Sequence, residues 1–353
     1  MLLSALSISD HYPDRERSLS ALYAEVLEQS VLADELGYHA FFFAEHHFHQ
    51  YGAVPNPAVL LASIAARTKR LRLGTAISVL PFRNAALVAE DYAMLDVISN
   101  GRLALGVGSG YLKHEFAGFG IDAIEKRDRF EENLDLLERF LRGERVTYTG
   151  RFASFDGIKL NVLPIQQEVP IYVATLRKEG AYYIGRQGRR MMSVPYATLD
   201  NFEEIGELVS EFHRGRRDAG LPGNLSEATN ILLHTHVAAS DAEARRNAAA
   251  AFDLYVASRL YAKSAVYDDV IRNGLALFGS VETVAAKMCR LAEMGVEHLM
   301  SLHNFGLMPD AQARRSMRMM IEEVVPRVRA ATPGRTPRRF DTMPSQPSAQ
   351  ACS

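Results

Sequence analysis

The chain has 353 residues, 40 Lys+Arg against 42 Asp+Glu, a formal net charge of -2, and is 48% hydrophobic and 23% charged. This is the balance of an ordinary globular protein with a large core, and it offers no basic footprint for nucleic acid. No apolar run reaches the roughly 18 residues that cross a bilayer. The first residues lack the basic and apolar regions of a signal peptide, so a cytoplasmic protein without a membrane or nucleic-acid partner is expected. Two cysteines, Cys289 and Cys352, are too few for a disulfide framework or a multi-thiolate metal site.

Along the chain, short apolar segments alternate with longer segments of helical period. LSIS (6–9) precedes a helix pattern over 19–36 that ends at Gly37. AFFFA (40–44) then leads to a helix over 57–67, LRLGTAISV (71–79) to one over 85–98, and RLALGVG (102–108) to one over 126–141. PIYVA (170–174), RRMMSV (189–194) and NILLHTHVAA (230–239) follow, with helices from Glu179, from Phe202 to Ala219, and from Ala242 to about Lys263. A helix over 281–294 feeds EHLMSL (297–302), and a last helix spans 311–329. Strands that read apolar throughout are buried on both faces, as in parallel sheets. Eight such units predict an α/β fold, a (β/α)8 TIM barrel over 1–330, with a doubly wound open sheet as the competitor. Insertions are expected before strand 5 (143–169) and near strand 8 (264–279). The Pro-, Ser- and Gln-rich stretch 331–353 is expected to be disordered.

The densest polar cluster is AEHHFHQYG, which sets Glu45, His46, His47 and His49 just after a strand. Barrel active sites lie at that end, and an imidazole exchanges protons near neutral pH. The spacing is not that of a helical zinc site, so no metal is expected. LALGVGSGY (103–111) brings glycines to a strand end, but Tyr111 stands where a dinucleotide fingerprint needs its third glycine. Gly108, Ser109 and Tyr111 instead suit the close approach of a flat ligand. Thr175, Arg177 and Lys178 sit where a strand meets a helix, a place that suits phosphate. His234 and His236 share one strand face, and His303 follows the last strand, where it can face the same pocket.

Together, FFFAEHHFHQYGAVPNP (41–57), LRLGTAISVLPFRN (71–84), VAEDYAMLDVISNGRLALGVGSGY (88–111) and EFAGFG (115–120) make the chain resemble the bacterial luciferase-like flavin-dependent monooxygenases. The resemblance implies a barrel that binds FMN at its C-terminal face and oxygenates a small organic substrate through a flavin C4a-hydroperoxide. It also implies a separate NAD(P)H:flavin reductase that supplies reduced FMN, with a minority branch that uses F420 for hydride transfer. A non-catalytic flavin-binding protein on the same barrel is the remaining alternative. Residue by residue, His46 matches the active-site histidine, Glu45 and His47 complete its motif, and Glu90 and Glu115 match two acids. Ala76 and Ile77 fall where the family often has a non-prolyl cis peptide under the flavin. Ser193 falls at a strand that contacts flavin or substrate. Ser109 stands where an arginine often holds the FMN phosphate, and Thr175 with Arg177 are expected to take that task. Phe43, Phe82 and Tyr111 are expected to exclude water, the loop of His11 and Tyr12 to shape the substrate pocket, and His11, Phe43, Glu45, Glu115 and His303 to line it. The segment 56–67 is apolar or small nearly all round, so it and the helix over 85–98 are expected to pack a homodimer, as the resemblance also implies.

Overall fold

Strand pairing sets the architecture. The computed structural model describes residues 1–332 apart from 224, 226 and 260–264, so the expected disordered tail lies outside the described residues beyond Thr332. In chain order the strands are β1 (Leu2–Ser7), β2 (Ala40–Phe43), β3 (Arg72–Val79), β4 (Leu103–Gly108), β5 (Val146–Thr149) and β6 (Ser154–Ile158). They continue with β7 (Ile171–Ala174), β8 (Arg190–Ser193), β9 (Thr229–Ala238), β10 (Leu277–Ser280) and β11 (His298–Leu302). Eight of them pair in parallel in the order β1-β2-β3-β4-β7-β8-β9-β11, and β11 pairs back onto β1. The sheet is therefore a closed (β/α)8 barrel and not a doubly wound open sheet. The expected excursion before the fifth barrel strand is the antiparallel hairpin β5–β6. The insertion near the last strand contributes β10, which extends the C-terminal half of β9 outside the barrel.

Twelve α-helices surround the strands among the described residues. They are α1 (Leu19–Leu36), α2 (Pro57–Ala65), α3 (Ala85–Ile98), α4 (Lys113–Gly118), α5 (Lys126–Leu141) and α6 (Lys178–Arg186). The second half adds α7 (Glu203–Asp218), α8 (Asp241–Ser258), α9 (Tyr267–Arg272), α10 (Val281–Glu293), α11 (Asp310–Met319) and α12 (Val325–Ala331). The helix expected over 126–141 is α5; the short α4, which the sequence period did not indicate, precedes it and begins two residues after Tyr111, just past the turn at Gly110 (φ 71°). Helices α6 and α7 cross with backbone against backbone. A Cβ on Gly185 would lie 2.0 Å from the Phe212 carbonyl oxygen, and one on Gly215 would lie 2.0 Å from that of Tyr182. No helix among the described residues is long and apolar enough to cross a membrane.

Side-chain alternation sorts each strand into an inward and an outward face. Phe42 points inward, with its ring 6.3 Å from Tyr172 across the barrel and 6.0 Å from His298. Beneath them lies a polar floor in which Ser4 Oγ bonds His298 Nε2 at 2.6 Å and the Tyr172 hydroxyl donates to Glu227 at 2.7 Å. Phe43 belongs to the opposite phase. It is wholly buried, stacks on Phe41 at 4.8 Å, and lies under the helices. The expectation that Phe43 lines the substrate pocket is thereby corrected. Ser193 is corrected in the same way: it is buried, and alternation turns it from the face of Met192, whose methyl approaches Gly106 inside the barrel. His303 is also displaced from the pocket, since its Nδ1 bonds Ser316 Oγ of α11 at 2.8 Å on the outer face.

Candidate functional site

The loop after β2 carries His46 to the C-terminal mouth of the barrel, where it is 8% exposed. Its Nδ1 lies 3.1 Å from Glu115 Oε1, and the same oxygen accepts the His47 backbone N–H at 2.9 Å. Glu115 sits in the first turn of α4, so the early start of that helix puts the carboxylate against the imidazole. A proton on Nδ1 donated to this carboxylate leaves a lone pair on Nε2, which has no hydrogen-bond partner among the described residues. Burial lowers the basicity of His46, Glu115 opposes that shift, and the nearby Arg259 charge adds to it. The ring therefore stays neutral at physiological pH.

Glu45 has a different task from its neighbour. Buried at the loop root, it accepts from Ser78 Oγ at 3.0 Å and Val79 N at 3.2 Å, and it bonds His47 Nε2 at 3.1 Å. A buried carboxylate is stable only when its oxygens are satisfied in this manner. Glu45 thus ties the histidine loop to the end of β3 and presents nothing to a substrate, which corrects its place in the expected pocket. Glu115 likewise braces His46 from behind. His47 is walled by Phe82 and Phe119, with ring centroids 5.8 and 4.8 Å away.

Across the mouth, the Ala76–Ile77 peptide bond is cis. Ala76 and Ile77 are half-buried while the residues before and after them on β3 are sealed, so this pair forms an apolar ledge open to the mouth. Gly108 allows the ledge: Ile77 Cδ1 lies 2.2 Å from where its Cβ would stand. Ser109, Tyr111 and Thr175 are half-buried around the same opening. The ring of Tyr111 lies 6.5 Å from His46. Thr175 Oγ1 donates to the Arg177 carbonyl at 3.1 Å and lies 3.3 Å from the Arg177 N–H, a tight turn that opens α6. The Arg177 side chain is exposed at that helix start and has no partner among the described residues, whereas Lys178 is paired with Glu204 and Glu207. His11 joins the site through backbone pairing, since its N–H donates to the Gln50 carbonyl at 3.0 Å. Glu90 is exposed on α3, away from the mouth.

The sequence profile described as luciferase-like monooxygenase matches residues 6–298. The chain belongs to the luciferase-like monooxygenase family. A monooxygenase structure from Streptomyces bottropensis superposes with a TM-score of 0.84 at 30% identity, covering 92% of this chain and 99% of that one. The oxygenase component of the flavin-dependent trigonelline monooxygenase of Acinetobacter baylyi is 30% identical over 236 residues, 65% of this chain and 63% of that one. An F420-dependent glucose-6-phosphate dehydrogenase of Microbacterium testaceum is 27% identical over 327 residues, covering 86% and 93%. Identity rises to 34% with another curated relative, over 193 residues and about half of either chain. The chain is a luciferase-like monooxygenase by family, and both flavin-type and F420-type relatives are similar to it.

This luciferase-like barrel also assembles residues that the sequence reading passed over. Tyr51 packs against His46 with the rings tilted by 59° and their centroids 4.5 Å apart. Tyr196, after β8, and Tyr255, on α8, bring their hydroxyls to 3.4 Å from each other, and Tyr51 comes equally near Tyr255. Arg259 lies over all three rings at 4.8–5.1 Å. The Tyr255–Arg259 spacing of four residues at a helix end was the one sequence signal of this cluster. Asp10 was missed, and Tyr12, expected to shape the substrate pocket, is buried against it as a brace. The Tyr12 hydroxyl and the Gly306 N–H donate to Asp10 Oδ2 at 2.8 and 2.7 Å and tie the first loop to the last.

Proposed function

We propose that this protein is the oxygenase of a two-component system, in which reduced FMN from a separate NAD(P)H:flavin reductase and O2 oxygenate a small organic substrate. The observation that carries this reading is the open ledge of Ala76 and Ile77 facing a neutral, carboxylate-braced His46 at one barrel mouth. The residues suit FMN: the apolar ledge fits a flat ring system, and the unpartnered Arg177 at the start of α6 fits a phosphate. Bound reduced FMN supplies the electrons that activate O2. His46 then holds or accepts a proton through Nε2, with Glu115 fixing the ring's tautomer. Phe82, Phe119 and Tyr111 keep water from the mouth. The similarity to an F420-dependent dehydrogenase supports hydride transfer from F420 as the second reading.

Titration with each cofactor tests this assignment. FMN is expected to bind in preference to F420, and Arg177→Ala to weaken FMN about 10- to 100-fold while leaving riboflavin nearly unchanged. Preferential F420 binding overturns the FMN reading, and equal losses for FMN and riboflavin remove Arg177 from the phosphate site.

We further propose a homodimer through α2 and α3. Val59 on α2 and Leu87, Met94, Val97 and Ile98 on α3 are all exposed, an apolar stripe of the kind that marks an interface. Met94→Asp is expected to convert a dimer at micromolar concentration into a monomer, read by light scattering. A monomeric wild type sinks the proposal.

A further inference from the structure

We infer that Arg259, held in the cage of Tyr51, Tyr196 and Tyr255, binds the carboxylate of the organic substrate one ring's width from His46. This assignment deepens the oxygenase reading above and rests on it, because it names the substrate class: an organic acid.

The cage is built from three separate parts of the fold. Tyr51 comes from the histidine loop, Tyr196 from the turn after β8, and Tyr255 from α8, and each ring is buried. Their faces confine the guanidinium by cation–π attraction. Arg259 Nη1 donates to the Tyr255 hydroxyl at 2.6 Å. A planar guanidinium fixed in this manner has little orientational freedom left to lose, and its fork matches the two oxygens of a carboxylate. The Tyr51 ring is shared by both groups, its centroid 4.9 Å from the guanidinium carbon and 4.5 Å from the His46 ring, so an acid held at Arg259 is anchored within reach of the imidazole's side of the mouth.

A second observation points the same way. His234 is fully buried, with Tyr196 and Tyr255 at 4.7 and 4.8 Å, and neither of its ring nitrogens has a hydrogen-bond partner among the described residues. Buried polar groups are ordinarily satisfied, so this imidazole keeps the capacity to hydrogen-bond a water or a ligand group that enters the cage. The rest of its surroundings, Phe252 and Phe305, is apolar. A cation and an unsatisfied imidazole set among hydroxyls and aromatic rings favour an anionic head on an apolar body.

The experiment is a calorimetric titration of the full-length protein with three acid–amide pairs of increasing size: butyrate and butyramide, benzoate and benzamide, decanoate and decanamide. In at least one pair the acid is expected to bind about 10- to 100-fold more tightly than its isosteric amide. Arg259→Gln is expected to abolish that preference, and Arg259→Lys, which keeps the charge but loses the fork, to retain part of it. No acid preference in any pair, or a preference unchanged in Arg259→Gln, overturns the assignment. FMN and riboflavin titrated into the same samples separate the sources of anion. A loss of FMN but not riboflavin in Arg259→Gln overturns the assignment too, since Arg259 then holds the cofactor phosphate. Failure of the wild type to bind FMN, with the acid preference intact, counts against the oxygenase reading alone. Thermal unfolding of both variants shows whether the cage still folds.

Discussion

His46→Ala is expected to keep FMN bound and to lose substrate oxidation by about 100- to 10,000-fold, the range over which a positioned acid–base group contributes. Binding persists because the contacts proposed for the cofactor, the Ala76–Ile77 ledge and the Arg177 turn, do not pass through the imidazole. Oxidation falls because Nε2, with its lone pair open, is the proton-accepting position of the mouth, on a ring kept neutral by burial and oriented through Nδ1 by Glu115 at 3.1 Å. With oxygenation blocked, O2 is expected to take both electrons of reduced FMN together with two protons and to appear as hydrogen peroxide. The measurement is product formed and peroxide released per reduced FMN consumed, on the wild type's substrate. Glu115→Gln tests positioning separately: it keeps the geometry but weakens the hold on the tautomer, so its loss is smaller and its pH profile shifts. Oxidation by His46→Ala near the wild-type rate removes His46 from catalysis.

Acid is expected to unfold this protein well before its carboxylates titrate. Four buried histidines resist protonation in the folded state: burial pushes His234 and His303 down to about 3, His236 to about 4, and His298 well below its usual range. Above an unfolded-state pKa of about 6.5 both states are neutral there, and these groups do not alter stability. Below it the unfolded chain binds protons that the folded chain refuses, so stability falls as pH falls. Each group removes about 1.4 kcal/mol per pH unit until its folded pKa is reached. Set against a typical net stability of about 5–15 kcal/mol, four such groups are decisive between pH 6.5 and 4.5. Asp10, whose carboxyl is pushed up by burial, works in the opposite direction but is one group against four. Urea midpoints at pH 7.5, 6.5, 5.5 and 4.5 check the slope, and a flat profile contradicts it.

The barrel was legible in the sequence because strands buried on both faces are apolar without interruption, as Leu103–Gly108 illustrates with all six residues sealed. The same property hid the direction of individual side chains. Where both faces of a strand are apolar, a period of two has no visible phase, so AFFF could not reveal that Phe42 enters the barrel while Phe43 leaves it. His303 and Ser193 were misplaced for that reason. His46 and the cis Ala76–Ile77 pair lay within contiguous family motifs. The cage around Arg259 did not, because Tyr51, Tyr196 and Tyr255 are joined only by the closure of the barrel, across about 200 residues of chain. Glu45 and Glu115 read alike as acids near a histidine, and only their hydrogen-bond partners separate a loop anchor from a histidine brace.

The glycine-mediated crossing of α6 and α7 divides the rim of the site into unequal parts. With Gly185 and Gly215 each against a carbonyl of the other helix, these two helices have no side-chain layer in which to slide. The turn bearing Arg177 and the turn bearing Tyr196 enter this pair from adjacent strands, and so they move as one rigid block. The histidine loop opposite has no such backbone-on-backbone crossing: backbone bonds to Ser9 and His11, and the Glu45 and Glu115 carboxylates, are what fasten it. Any opening of this mouth is therefore expected to leave the α6–α7 side in place. The side that carries Arg177 then serves as the reference frame, and His46 sits on the side left free to move relative to it.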